Sequence, residues 1–266
     1  EGTCKKEDFF EPDPVSLEKV NRVHNRDYIS RLLSLELTKN DVRKIGFPLS
    51  KELVKRELTI AGGTVKGAEK ALISGIAMNI AGGTHHAYRS HGEAFCLLND
   101  QAIAAQFLID QKKVNQILIL DLDVHQGNGT AEIFKNNTFV FTCSVHGAKN
   151  YPFRKEESDL DIAMEDKTKD EIYLKKIKTL IPDLIDQTHP DFVFYLSGVD
   201  VLGTDKLGRL DLSIEGCRKR DQIVFEILYN KGIPVQCSMG GGYSKDINII
   251  IEAHANTYRE AAKLYF

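Results

Sequence analysis

Short apolar runs recur along this chain, at 76–80, 117–120, 139–145, 192–196 and 233–238, and each gives way to Gly, His, Asp or Ser. Between them lie stretches whose apolar residues fall at helical spacing: 67–74, 99–109, 170–185, 213–229 and 246–264. Strands alternating with helices imply parallel βαβ units. The expected class is therefore α/β, with a central, mostly parallel sheet flanked by helices. No linker rich in Pro, Gly or Ser divides the 266 residues and no internal repeat is visible, so one domain is expected over 1–266. Residues 40–53 read as a surface loop. Residues 147–161 read as a polar, irregular segment after a strand end.

In an open parallel sheet, ligands bind at the C-terminal ends of strands. Four such ends carry unusual side chains. After Ile117-Leu118-Ile119-Leu120 comes Asp121-Leu122-Asp123-Val124-His125. Side chains alternate along a strand, so Asp121, Asp123 and His125 converge while Leu122 and Val124 pack behind them. Carboxylate and imidazole in fixed register are metal ligands, although a strand followed by a polar turn would read the same way. Gly82-Gly83-Thr84-His85-His86 sets two imidazoles beside each other, or is a surface turn. Leu196-Ser197-Gly198-Val199-Asp200 ends an apolar strand in a carboxylate, or in a helix cap. Met239-Gly240-Gly241-Gly242-Tyr243 hangs one phenol over a pocket, or is a flexible loop. Together these groups supply metal ligands, imidazoles for proton transfer and a phenol donor, the inventory of metal-assisted amide hydrolysis. No Walker A run, GxSxG elbow or HExxH helix is present.

Composition narrows the partners. Net charge is −3, which gives no electrostatic case for direct nucleic-acid binding. Arg218-Lys219-Arg220 reads as a solvated helix face. The five cysteines (Cys4, Cys96, Cys143, Cys217, Cys237) are scattered and lack CxxC spacing, so neither a disulfide framework nor a cysteine zinc site is expected, and Cys143 reads as a buried thiol. A reducing, intracellular compartment fits, cytoplasmic or nuclear. No apolar stretch reaches membrane-spanning length and no signal peptide is seen.

The four motifs, with Ala94-Phe95-Cys96-Leu97-Leu98-Asn99-Asp100 and Asp121 to Gly129 (Asp-Leu-Asp-Val-His-Gln-Gly-Asn-Gly), resemble the zinc-dependent histone deacetylase family, in order and spacing. The likeness runs from about Val23 onward. The form of the Asp121 motif and Leu207-Gly208-Arg209-Leu210 are similar to the class IV branch and its bacterial relatives. The resemblance implies a single-domain arginase/deacetylase-like fold with about eight strands. It implies Zn2+, or Fe2+, held by Asp123, His125 and Asp200. His86 would be general base and then acid, His85 its electrostatic partner, and Tyr243 the donor to the substrate carbonyl. Asp121 would orient His85, and Asn128 would orient His86. Phe95, Phe153, Leu207 and Gly242 would line a narrow tube for a lysine stem, and the Ala94 carbonyl would accept from the substrate N–H. A structural K+ would be held by Asp121, Asp123, His125, Ser144 and Val145.

Asn128 stands where many of these deacetylases carry Asp, which predicts a lower pKa at His86. Ala94 replaces a more frequent Gly, and Thr84 replaces a bulkier residue. The chain starts at Glu1 rather than Met. An N-terminal strand and the loop after it, with part of the pocket rim, are expected to lie outside it. The expected substrate is an acyl-lysine protein or peptide. A small acylated amine such as an acetylpolyamine is the alternative, and a non-catalytic acyl-lysine reader is the alternative of another class. An arginase-like two-manganese site ranks lower, because Asp200 is followed by Val-Leu rather than by another carboxylate.

Overall fold

The computed structural model describes residues 2–266. Helices α1 (Leu17–Val20), α2 (Arg26–Leu33), α3 (Lys39–Ile45) and α4 (Lys51–Ser74) precede strand β1 (Ile76–Asn79). Then follow α5 (Asp100–Asp110), β2 (Ile117–Asp121), α6 (Asn128–Phe134), β3 (Val140–Gly147) and β4 (Leu160–Met164). The chain ends with α7 (Asp170–Thr188), β5 (Phe192–Leu196), α8 (Ile214–Lys231), β6 (Val235–Ser238) and α9 (Ile247–Tyr265).

The strands lie in the order β1-β6-β5-β2-β3-β4, every neighbouring pair parallel. Alternation along the strands fills both faces of the sheet. Leu118 and Leu120 of β2, with Val193 and Tyr195 of β5, join one core with α7, α8 and α9. Ile117, Ile119, Phe192 and Phe194 point the other way, into a second core with α2, α4 and α5. From β2 the chain steps outward to β3 and β4, then returns to β5 on the opposite side of β2. Loops leaving β2 and β5 therefore diverge, and the crevice between them is the switch point at which such sheets bind ligands.

Five expectations need correction. The sheet has six strands among the described residues rather than about eight. Strand β4 falls at the end of the segment read as irregular; its alternating exposure is that of an edge strand, without the apolar run of a central one. Residues 40–53 hold most of α3 and the start of α4 rather than a loop. Helix α4 also begins well before residue 67. Ser50 Oγ caps it, accepting from Leu53 N–H at 3.1 Å. Gly62-Gly63 lies in its middle, a pair that normally argues against a helix. The pair is there because segment 13–15 crosses the helix: a β-carbon on Gly62 would sit 1.9 Å from the Asp13 carbonyl oxygen. Finally, Arg220 is no solvated residue but fully buried. The five cysteines are free thiols, with Cys143 buried in β3 and Cys4 exposed. Among the described residues no helix is long and apolar enough to cross a membrane.

Candidate active site

A cavity of about 900 Å³ opens at the C-terminal edge of the sheet. Asp123 and His125 reach it from the loop after β2, and Asp200 from the loop after β5. Their ligating atoms all lie within 4.8 Å of one another, and all three residues are buried. His125 Nδ1 is 3.1 Å from both Asp123 Oδ1 and Asp200 Oδ2. Backbone amides take the remaining oxygens: Gly241 N–H donates to Asp123 Oδ2 at 3.0 Å, and Val124 N–H to Asp200 Oδ1 at 3.0 Å. Two glycines make room. A β-carbon on Gly198 would stand 2.1 Å from Asp123 Oδ2, and one on Gly241 2.2 Å from Asp200 Oδ2.

The electrostatics describe a cation site. Burial raises the Asp200 carboxyl, and neighbouring Asp123 adds to it, to about 7. Burial opposes charge on His125, but both carboxylates raise it to about 10. Two buried carboxylates thus share one imidazole and hold more negative charge than it balances. The donor set, one imidazole and two carboxylates converging at buried positions, fits a divalent metal such as zinc or iron(II).

Beside this cluster stand the two adjacent histidines, with ring centroids 4.1 Å apart. His85 Nδ1 donates to Asp121 Oδ2 at 2.6 Å. Burial opposes its protonation, yet the charge and hydrogen bond of Asp121 carry it to about 9. His86 Nδ1 donates to Asn128 Oδ1 at 2.6 Å. Burial and the neighbouring His85 charge hold His86 well below the usual imidazole range, and the neutral amide of Asn128 offsets little of this. The pair is thus split into a cation and a neutral base with Nε2 unprotonated. Asn128 Nδ2 donates to the Tyr88 hydroxyl at 2.9 Å, which fixes the amide's orientation.

Tyr243, Ala94, Phe95, Phe153 and Leu207 line the cavity. Phe95 is 40% exposed and Phe153 92% exposed, so the two rings stand at the mouth rather than closing a narrow tube. Gly242 is displaced from the wall. Gly240, Gly241 and Tyr243 face the cavity, while a β-carbon on Gly242 would meet Val199 Cγ2 at 2.7 Å, behind it. Ala94 and Phe95 both have positive φ, 44° and 68°, a conformation costly for residues other than glycine. Their N–H groups donate to the Lys44 and Ile45 carbonyls at 2.9 and 2.7 Å. Ser144 and Val145 are buried in β3, Ser144 in register with Asp121.

The roles of three residues were not evident from the motifs. Arg220, on α8, lies beneath the site. Its guanidinium donates to the carbonyls of Gly198 at 2.6 Å, Ser197 at 2.9 Å and Leu122 at 3.2 Å, and to Asp221 Oδ1 at 2.8 Å. It ties together the two loops that carry Asp123 and Asp200. Tyr151 stacks edge-on to His86 at 5.1 Å and donates its hydroxyl to Glu93. Asp100 accepts from the backbone of Gly83 and Thr84, at 3.0 and 2.8 Å, and so shapes the turn before His85. The Asp100 motif was visible, but its target lies in another segment.

The chain is similar in sequence and fold to known proteins. The histone deacetylase domain matches residues 1–258. An uncharacterized protein of Picosynechococcus is 40% identical over the whole chain and 88% of its own length. Histone deacetylase 2 of Arabidopsis thaliana is 28% identical over 98% of the chain and 70% of its own. Among solved structures, an HDAC homologue complexed with SAHA superposes with a TM-score of 0.85 at 25% identity, covering 98% of this chain and 74% of the other. An HDAC homologue from Aquifex aeolicus gives 0.83 at 23% identity with the same coverages, a likeness of fold. A domain match that spans residues 1–258 places this chain in the histone deacetylase family of amide hydrolases.

Proposed function

We propose that the chain is a metal-dependent amidohydrolase that removes the acyl group from Nε-acyl-lysine in a protein or peptide, on the class IV pattern. One observation carries the reading: the Asp123–His125–Asp200 cluster, a neutral His86 and a cationic His85 all belong to one cavity. Asp123, His125 and Asp200 would hold zinc or iron(II), which would supply Lewis acidity for the amide carbonyl and lower the pKa of water toward about 7.

The protein's own groups do the rest. His86 takes a proton from the attacking water at Nε2 and returns it to the departing amine nitrogen. His85, kept cationic by Asp121, holds positive charge beside the developing oxyanion. The Tyr243 phenol donates to the same oxygen, and burial together with Asp123 and Asp200 keeps it protonated. Phe95, Phe153 and Leu207 flank the lysine stem, and the Ala94 carbonyl accepts from the substrate N–H. Potassium, bound by Asp121, Asp123, His125, Ser144 and Val145, would brace the strand ends. Four buried free thiols and one exposed one suit a reducing intracellular compartment.

The test is release of lysine amine from acetyl-, octanoyl- and myristoyl-lysine peptides by zinc-loaded protein beside His86→Ala. Turnover by the parent chain alone is expected, and the preferred chain length locates the cavity floor. Stoichiometric zinc with no turnover of any peptide would overturn the reading in favour of a small acylated amine or a non-catalytic reader.

A further inference from the structure

The mouth of the cavity is strongly and one-sidedly charged, although the chain as a whole carries −3. Arg43, Lys44, Lys149, Lys167, Lys206 and Arg209 line it, all exposed, with Asp166 the only carboxylate at the rim among the described residues. The other two lining carboxylates, Asp123 and Asp200, are buried on the floor with His125. Asp166 is already taken up by Arg209, whose Nη2 lies 2.6 Å away, with Lys149 at 3.9 Å. Arg43 donates to the neutral Asn40 amide at 2.9 Å and makes no ion pair within 4.0 Å among the described residues. Lys44, Lys167 and Lys206 make no ion pair within 4.0 Å among the described residues.

These cations are not scattered surface lysines. They come from four segments, the end of α3 and the loops after β3, β4 and β5, and the last three are knitted together. The buried Asn150 donates to the Leu207 carbonyl at 2.8 Å and accepts from Arg209 N–H at 3.2 Å. Lys167 N–H donates to the Arg209 carbonyl at 2.7 Å. On the opposite lip, Lys44 is fixed by Ala94 N–H, which donates to its carbonyl at 2.9 Å. The like charges are thus held near one another by backbone bonding, at an electrostatic cost that an anionic ligand relieves.

Building on the deacylase reading, we infer that the part of the substrate left outside the cavity is anionic: an acyl-lysine set among Asp and Glu residues of a peptide or protein. The acyl group goes inward to the floor, so the rim meets whatever flanks the lysine. Six cations make a poor rim for a lysine-rich tail or a polyamine, whose charges they would repel. They line the mouth of one cavity on a chain whose net charge is −3, which favours a short acidic segment over a nucleic-acid backbone.

The inference is tested with fluorescein-labelled acetyl-lysine peptides of equal length flanked by Glu, Gln or Lys. Each is titrated by anisotropy at about 30 mM and about 300 mM salt. The Glu peptide is expected to bind about tenfold tighter than the Gln peptide and the Lys peptide weakest, with the spread narrowing at high salt. Equal affinities, or a preference for Lys, would overturn it. In the Lys167→Glu/Lys206→Glu protein the Glu-to-Gln ratio is expected to fall to one or below. Being a ratio within one preparation, it is insensitive to partial unfolding, and an unchanged ratio counts against the inference. Displacement of the Glu peptide by short single-stranded DNA at lower concentration than by unlabelled Glu peptide would assign the rim to nucleic acid instead. Amine release, followed in parallel, separates the two readings. Charge-ordered binding without turnover supports the rim and sinks the deacylase, whereas turnover indifferent to charge does the reverse.

Discussion

At the scale of single residues, the site works by setting like groups apart. His85 and His86 are chemically identical neighbours, yet one faces a carboxylate and the other a neutral amide. Asn128→Asp is expected to raise the pKa of His86 and move the acidic limb of the pH dependence of kcat/KM to higher pH; a limb that stays in place would refute the assignment of His86 as base. Tyr243→Phe is expected to lower kcat by about 10²–10³-fold with little change in peptide Kd, since the phenol acts on charge that develops only in the transition state. Arg220 is the residue whose meaning the sequence concealed. Within Arg-Lys-Arg it looks solvated, and only the packing of α8 under the sheet reveals three backbone carbonyls waiting for it. Its removal would leave Asp221 and those carbonyls without it in a dry interior, so Arg220→Met is expected to cost about 3–5 kcal/mol by denaturant titration.

At the scale of elements, the site is as firm as the turns that join strands to helices. His24, between α1 and α2, is one such joint. Its Nδ1 donates to the Tyr88 carbonyl at 2.9 Å, and its Nε2 accepts from Asn99 N–H at 3.0 Å, so only the neutral ring fits. Burial lowers its pKa from 6.5 to about 4. The unfolded chain therefore takes up the proton first as pH falls. The contribution is intact above about pH 6.5, declines between 6.5 and 4 and is fully lost below, a loss of about 3 kcal/mol. His24→Gln is expected to flatten the stability profile across that window; an unchanged slope between pH 6.5 and 4 would show that another group sets it. The elements also differ in how plainly the sequence announces them. Strands β2 and β5 are apolar runs because both their faces are covered, and they were legible. Strand β4, at the sheet edge, has no such run. The first half of α4 was hidden by Gly62-Gly63, whose purpose lies in the chain segment that crosses it. Among site residues, the motif side chains on strand ends were legible, whereas Tyr151 and Glu93, 58 residues apart, meet only in the fold.

At the scale of the whole molecule, a metal held by Asp123, His125 and Asp200 would be coupled to folding. A divalent ion that binds the folded chain alone stabilises it by about 2.7 kcal/mol at a hundred times its Kd. Zinc is expected to raise the Tm of the parent chain and to leave that of His125→Ala unmoved; an equal rise in both would place the ion elsewhere.

The switch point has a further consequence, in time rather than in space. His125 and Asp200 are separated by 75 residues, and between them lie α6, β3, β4, α7 and β5. Pairing β2 with β5 closes that long loop, a slow and entropically costly event of the kind that limits folding of parallel sheets. A nascent chain that has emerged only as far as α7 carries two of the three ligands, Asp123 and His125, and lacks Asp200 to complete the set. Metal capture then becomes a late event in maturation, and the hydrolytic centre is armed only after the crossover has been made.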